Sequence, residues 1–133
     1  MLEIQQDVRD FHRVFGLTIN SQPTASERNV RLLRASLIEE EAEEFRVAAE
    51  AGDLIGMADA IADLLYVTLG AAVSLGINVL PLFKEVHRSN MSKVFPDGTV
   101  RHRADGKVLK PSTYSKADIS GALGLIDEGR TQS

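Results

Sequence analysis

The sequence predicts an all-α protein: a bundle of four helices followed by an irregular basic segment. Three observations carry this. Apolar residues recur at helical spacing through residue 93, no alternating strand of any length precedes residue 94, and residues 54–83 hold only two charges, Asp59 and Asp63. That stretch is apolar right round the helix, the pattern of a fully buried one. A chain of 133 residues has the size of one domain and can bury about two-thirds of its unfolded surface. We place its helical core at 1–93 and its C-terminal segment at 94–133.

Helix one spans 2–15, with Leu2, Ile4, Val8, Phe11, Val14 and Phe15 at mostly helical spacing, and ends at Gly16. Asn20, Ser21, Pro23 and Ser26 make 18–26 a loop, and Ser26 is positioned to cap the next helix. Helix two covers 27–51 and stops at Gly52-Asp53. With Glu40 set at 0° and about 100° per residue, Leu33, Leu37, Ile38, Phe45, Val47 and Ala48 share one half. Glu39, Glu43, Arg46 and Glu50 gather opposite, as a solvated face does. Glu40, Glu44 and Glu41 come out near 0°, 40° and 100°, inside the apolar half. Helix three covers 54–75, ending at Gly76. Helix four covers 80–93. Beyond it, Asp97-Gly98 and Asp105-Gly106 are turn signals, a short last helix is expected over 117–126, and 127–133 is a loose tail.

Composition narrows the function. Without cysteine there are neither disulfides nor thiolate zinc sites. A net charge of −4 argues against general binding to nucleic acid or to acidic membranes. The run 64–83 is uncharged and long enough to span a bilayer. It is diluted by Thr68, Gly70, Ser74, Gly76, Asn78 and Pro81, and no Lys/Arg cluster flanks it. The N-terminus carries acids where a signal peptide carries cations, so a soluble cytoplasmic protein is expected.

Carboxylates on the inner side of a bundle are costly unless paired or bound to a cation. Asp59 and Asp63, four residues apart, lie one turn apart on one face, with no Lys, Arg or His in their stretch. A short connection at Gly52-Asp53 sets helices two and three antiparallel, bringing Glu40, Glu41 and Glu44 to the height of Asp59 and Asp63. An all-oxygen cluster suits Mg²⁺ or Mn²⁺. A di-iron bundle needs Glu-x-x-His pairs, and none of His12, His87 and His102 supplies one. Residues 93–116 hold six Lys/Arg against two Asp, a counter-charge for polyphosphate. The residues alone therefore point to metal-assisted hydrolysis of a phosphate anhydride.

The stretch LIEEEAEEF (37–45), then DAIADLLYV (59–67), EVHRSNMSK (85–93) and RADGKVLKP (103–111), with FHRVFG (11–16) near the start, resembles the all-α nucleoside triphosphate pyrophosphohydrolases. This MazG-like superfamily also includes phosphoribosyl-ATP pyrophosphohydrolase and the dimeric dUTPases. The resemblance implies Mg²⁺ or Mn²⁺ held by E-E-x-x-E and E-x-x-D blocks, cleavage between the α- and β-phosphates, and a homodimer. Glu40, Glu41, Glu44 and Asp63 match ligand positions, with Glu41 or Glu44 activating the water. Where the pattern has Glu, this chain has Ala60, and Asp59 is placed to take over. Asn90 and Lys93 match a nucleotide-contacting block, although a helix C-terminus also favours Lys. Lys107 and Lys110 either close over phosphates or are ordinary solvated charges. His12 reads as structural. Rival readings are phosphoribosyl-ATP or dUTP hydrolysis, and a non-catalytic nucleotide sensor with a decayed metal site.

Overall fold

The computed structural model describes residues 1–125. The expected tail at 127–133, and the last residue of the expected helix at 117–126, lie outside them. The helices are α1 (Glu3–Phe15), α2 (Arg28–Glu50), α3 (Leu54–Leu75), α4 (Val79–Met91) and a single turn, α5 (Ile119–Ala122). Among the described residues there is no strand, only an isolated antiparallel bridge between His102 and Val108. The chain divides into two compact units, Met1–Val79 and Leu80–Ser133. Nearly all of α4 thus groups with the basic segment.

In the first unit α3 packs against both α1 and α2. The α2–α3 turn forms as its residues dictate. Gly52 adopts a left-handed φ of 65°, and the Asp53 carboxylate accepts from the Gly56 amide at 3.0 Å, capping α3. Ser26 does not cap α2. The N-cap is Glu27, without a side-chain bond. Ser26 instead donates its hydroxyl to the Ser74 carbonyl at 3.0 Å, beside the Asn20 amide, which donates to the same carbonyl at 2.7 Å. A loop strapped to the end of α3 outbids a local cap.

The α2–α3 register is constant. Ala48 lies against Gly56, where a methyl would stand 3.1 Å from the Ala48 Cβ. Glu41 lies with Asp63. Arg34 lies against Gly70, where a methyl would stand 2.9 Å from Nη1. Each step runs seven residues back along α2 and seven forward along α3, two turns or about 10.5 Å. At the last step α1 contributes His12, buried to 1% exposure. Its Nδ1 donates to the Thr18 carbonyl at 3.0 Å, leaving Nε2 to face Arg34 Nη1 at 3.5 Å. Burial above all, then the Arg34 charge, hold this imidazole below its ordinary pKa against the pull of the Thr18 carbonyl, so it sits neutral and structural, as its sequence context implied.

The apolar core is small: Val8, Leu69 and Val73, with Ile19 and Val79 against them. The expectation that α3 is buried all round fails. Its C-terminal half is covered, but Leu54, Ile55, Ile61 and Leu65 are exposed, Ile55 to 83%. By length and composition α3 is also long and apolar enough to cross a membrane. The solvated face of α2 is as expected, with Arg46 paired to Glu43 and to Glu50, each at 2.6 Å.

In the second unit both expected turns form, with Gly98 at φ 81° and Gly106 at φ 85°. The Asp97 carboxylate accepts from the Thr99 amide, and the Asp105 carboxylate from the Lys107 amide, each at 3.0 Å. The segment after them is tied to α4. Glu85 accepts from the Asp118 amide at 3.0 Å and pairs with Arg88 at 2.7 Å, and Arg88 donates to the Lys116 carbonyl.

Two outcomes follow from this packing. Gly76 has φ 67°, and a methyl there would run into the Gln22 carbonyl, with the Asn20 oxygen 3.0 Å away. Gly76→Ala is therefore expected to cost about 2 kcal/mol or more in denaturant unfolding. Gly16→Ala, at the same φ but with open space around it, should cost only about 1 kcal/mol. Arg88 first, then the Asp118 amide, hold the Glu85 carboxyl at about 2, from an ordinary 4.5. Because the folded value is depressed, the tie contributes in full above pH 4.5 and is lost as pH falls through about 2. Exchange of the Asp118 amide followed by NMR should rise over that window, and Glu85→Gln should abolish the pH dependence.

Candidate metal centre

The middle step of the α2–α3 register is the chemically unusual one. Glu41, Glu44 and Asp63 each present a carboxylate oxygen, and the three lie within 4.8 Å of one another. Helical phase explains which acids meet. Arg34, Glu41 and Ala48 lie within about 40° on α2 and mark the seam; Glu44 is about 60° from Glu41 and reaches it, whereas Glu40 is about 100° away. Glu40 is exposed and does not join the cluster. On α3 Asp63 faces the seam, while Asp59 is exposed and lines a shallow groove with Glu44, Ala48 and Gly56. Of the five acids singled out in the sequence, the fold unites three, leaves Asp59 at the rim and sends Glu40 outward.

Glu41 and Asp63 are half-buried and Glu44 is exposed. The Glu41 Oε2 is buried and has no hydrogen-bond partner. Burial foremost raises its pKa, followed by a side-chain hydrogen bond to Glu44 and the charges of Glu44, Asp63 and Asp59. A bond between two carboxyls requires a shared proton. No Lys or Arg forms an ion pair with these acids among the described residues.

The arrangement fits a hard cation. Three carboxylate oxygens within 4.8 Å of one another are near enough to converge on one ion of the kind that carboxylates hold. The donors are all oxygen, which favours Mg²⁺ or Mn²⁺ over softer ions. Glu41, Glu44 and Asp63 would hold it. Ala60, where the related pattern has Glu, is buried to 2% exposure on the flank of α3 away from Asp59. Asp59, by contrast, is exposed.

The expected substrate residues all fall in the second unit. Asn90 is exposed on α4 and Lys93 is half-buried just past its end, its amide bonded to the Asn90 carbonyl. Lys107 and Lys110 are exposed and line a shallow cleft with Arg103 and Val108. Arg34 went unnoticed in the sequence; its signal was the seven-residue spacing from Glu41.

A family profile described as phosphoribosyl-ATP pyrophosphohydrolase matches residues 8–90, a span that includes all three clustered acids. No individual curated protein matches the chain significantly. The chain belongs to the phosphoribosyl-ATP pyrophosphohydrolase family, within the MazG-like superfamily, and membership implies a nucleotide pyrophosphohydrolase.

The raised Glu41 carboxyl makes metal-free stability fall as pH rises from the ordinary carboxylate value, because the unfolded chain ionises more readily than the folded one. Glu41→Gln should therefore raise the metal-free thermal midpoint at neutral pH. Mg²⁺ should raise the midpoint of the unaltered protein and leave that of Glu41→Gln nearly unmoved. Calorimetry with Mg²⁺ and with EDTA reads both effects.

Proposed function

We propose that this family member is a metal-dependent nucleoside triphosphate diphosphatase, cleaving the α–β anhydride to a nucleoside monophosphate and pyrophosphate. The observation that carries this reading is the Glu41–Glu44–Asp63 cluster, a set of mutually repelling carboxylates with an unpartnered buried oxygen. Such a set costs stability unless it serves a cation. Mg²⁺ or Mn²⁺ bound there supplies positive charge to the phosphoryl oxygens and lowers the pKa of a bound water. The chain's own part is positional. Glu41, seated in the seam, fixes the depth of the site. Glu44 reaches both the cluster and the open groove. The proton acceptor is one of these two, and Asp59 adds negative charge at the rim.

Asn90, Lys93, Lys107 and Lys110 are proposed to contact the nucleotide, lysine being suited to phosphate as a compact charge. The exposed apolar residues of α3 support a homodimer, since a patch of that kind marks an interaction surface. The composition supports a cytoplasmic protein with no call for nucleic acid or membrane as partner. Phosphoribosyl-ATP is the second reading of the substrate, favoured by the family match. Hydrolysis of dUTP and non-catalytic nucleotide binding are the remaining alternatives.

Pyrophosphate release with Mg²⁺, measured across nucleoside triphosphates, dUTP and phosphoribosyl-ATP, is the test. One nucleotide is expected to turn over well above the rest. Glu41→Gln and Asp63→Asn should each lower turnover by about 100-fold or more. Asp59→Asn should be milder, and Glu39→Gln and Glu43→Gln, on the solvated face of α2, should be nearly neutral. No release from any of them would refute hydrolysis, and equal losses in all five variants would refute the assignment of the seam.

A further inference from the structure

A cleft of the first unit takes no part in the proposed chemistry. It lies between α1, the 17–27 loop and the end of α3 and has a volume of about 220 Å³, with Gln5, Arg9, Asn20, Ser21, Val73 and Ile77 among its walls. An enclosed apolar cavity of ~150 Å³ already takes up benzene. On α1 the buried residues are Gln5, Val8 and His12. Arg9, one turn on from Gln5, flanks that stripe and lines the cleft instead of entering the core. Along α3, Asp63 to Gly76 is about 20 Å of helix, so the cleft stands well apart from the carboxylate cluster.

Its walls are fixed by hydrogen bonds between the three segments. Gln5 Nε2 donates to the Ile77 carbonyl at 2.6 Å, and Gln5 Oε1 accepts from the Val79 amide at 3.0 Å. Asn20 donates its backbone amide to the Val73 carbonyl at 3.2 Å and its side-chain amide to the Ser74 carbonyl at 2.7 Å. A ligand entering such a pre-formed cleft has little left to order.

The charge in it is uncompensated. Arg9 is half-buried and belongs to none of the ion pairs found among the described residues. Its neighbours three and four positions away on α1 are Gln5, Gln6, His12 and Arg13, so the helix offers it no carboxylate. Asp10, which could serve a neighbour, is taken by Arg13 at 3.1 Å. No Asp or Glu is among the lining residues, and the wall from the end of α3 is apolar, with Ala72, Val73 and Ile77.

We propose that this cleft binds a small monocarboxylate, its carboxylate on the Arg9 guanidinium and its short apolar body against Val73 and Ile77. A guanidinium presents two parallel donors to one carboxylate. No second cationic side chain lines the cleft, which matches a singly charged ligand and not a polyphosphate. The site goes beyond the catalytic reading and does not rest on it.

Isobutyrate is the probe, titrated in EDTA into the isotope-labelled chain and followed by NMR. Saturable shifts are expected at the Arg9 Nε–H and at the amides of Asn20, Ser21 and Ile77, with the amides of Glu41 and Asp63 unmoved. Arg9→Gln keeps a good helix former and removes the charge. Ser21→Asp, at an exposed position, sets a competing carboxylate at the cleft. Each should weaken binding about tenfold or more, whereas Arg28→Gln, an exposed arginine at the start of α2, should leave it unchanged. Acetate supplies the charge without the body, and phosphate supplies an oxyanion without an apolar part; both should bind more weakly than isobutyrate. Absence of saturable shifts at these groups, binding that survives both Arg9→Gln and Ser21→Asp, or acetate or phosphate bound as tightly as isobutyrate would each overturn the proposal.

Discussion

The antiparallel seam between α2 and α3 is the constraint on which the first unit depends. Its register is held at both ends by close approach: Ala48 against Gly56 near the turn, Arg34 against Gly70 at the far end. Between them Glu41 meets Asp63. A slip of one residue would turn each partner by about 100° and scatter the three acids. The small residues at the two ends thus serve the charged ones in the middle, by allowing the backbones near enough for carboxylates from two helices to share one point.

The interior of this unit is more polar than a bundle of its size needs. Its fully buried side chains are His12, Gln5, Val8 and Ser74. Each polar one is tied to backbone: Gln5 to Ile77 and Val79, His12 to Thr18, Ser74 to the same Thr18 carbonyl. These bonds fasten the 17–27 loop and the end of α3 rather than adding hydrophobic area. The apolar surface that would normally supply the driving force stands outside, on the N-terminal half of α3. The interior thus relies on directional bonds, while Ile55 and Ile61 stay in water.

The second unit works by charge. Glu85, Asp97 and Asp105 are engaged locally, in turns and by neighbouring arginines. The first unit brings three carboxylates together, and in the second Lys110 stands over the Tyr114 ring.

The sequence by itself determined the helices, their ends and the hairpin, because these rest on local chemistry: a glycine at positive φ closes α1 and α3, Asp53 caps α3, and acids at 3.6-residue spacing separate a wet face from a seam. It also marked Glu41, Glu44 and Asp63 within a larger acidic set, and through the quoted motifs it pointed to the family. Tertiary structure decided what spacing cannot. Glu40 and Glu44 both lie within reach of the apolar half on a helical wheel, and only the line of contact with α3 shows that Glu44 reaches Asp63 and Glu40 does not. Asp59 and Asp63 share a face, yet one meets solvent because the seam runs along the other. Ser26 gave up its cap because Ser74, 48 residues away, offered a better partner. The full burial of α3 was wrong for a related reason. Hydrophobicity states which surface avoids water, but coverage depends on what packs there, and α1 and α2 cover only part of it.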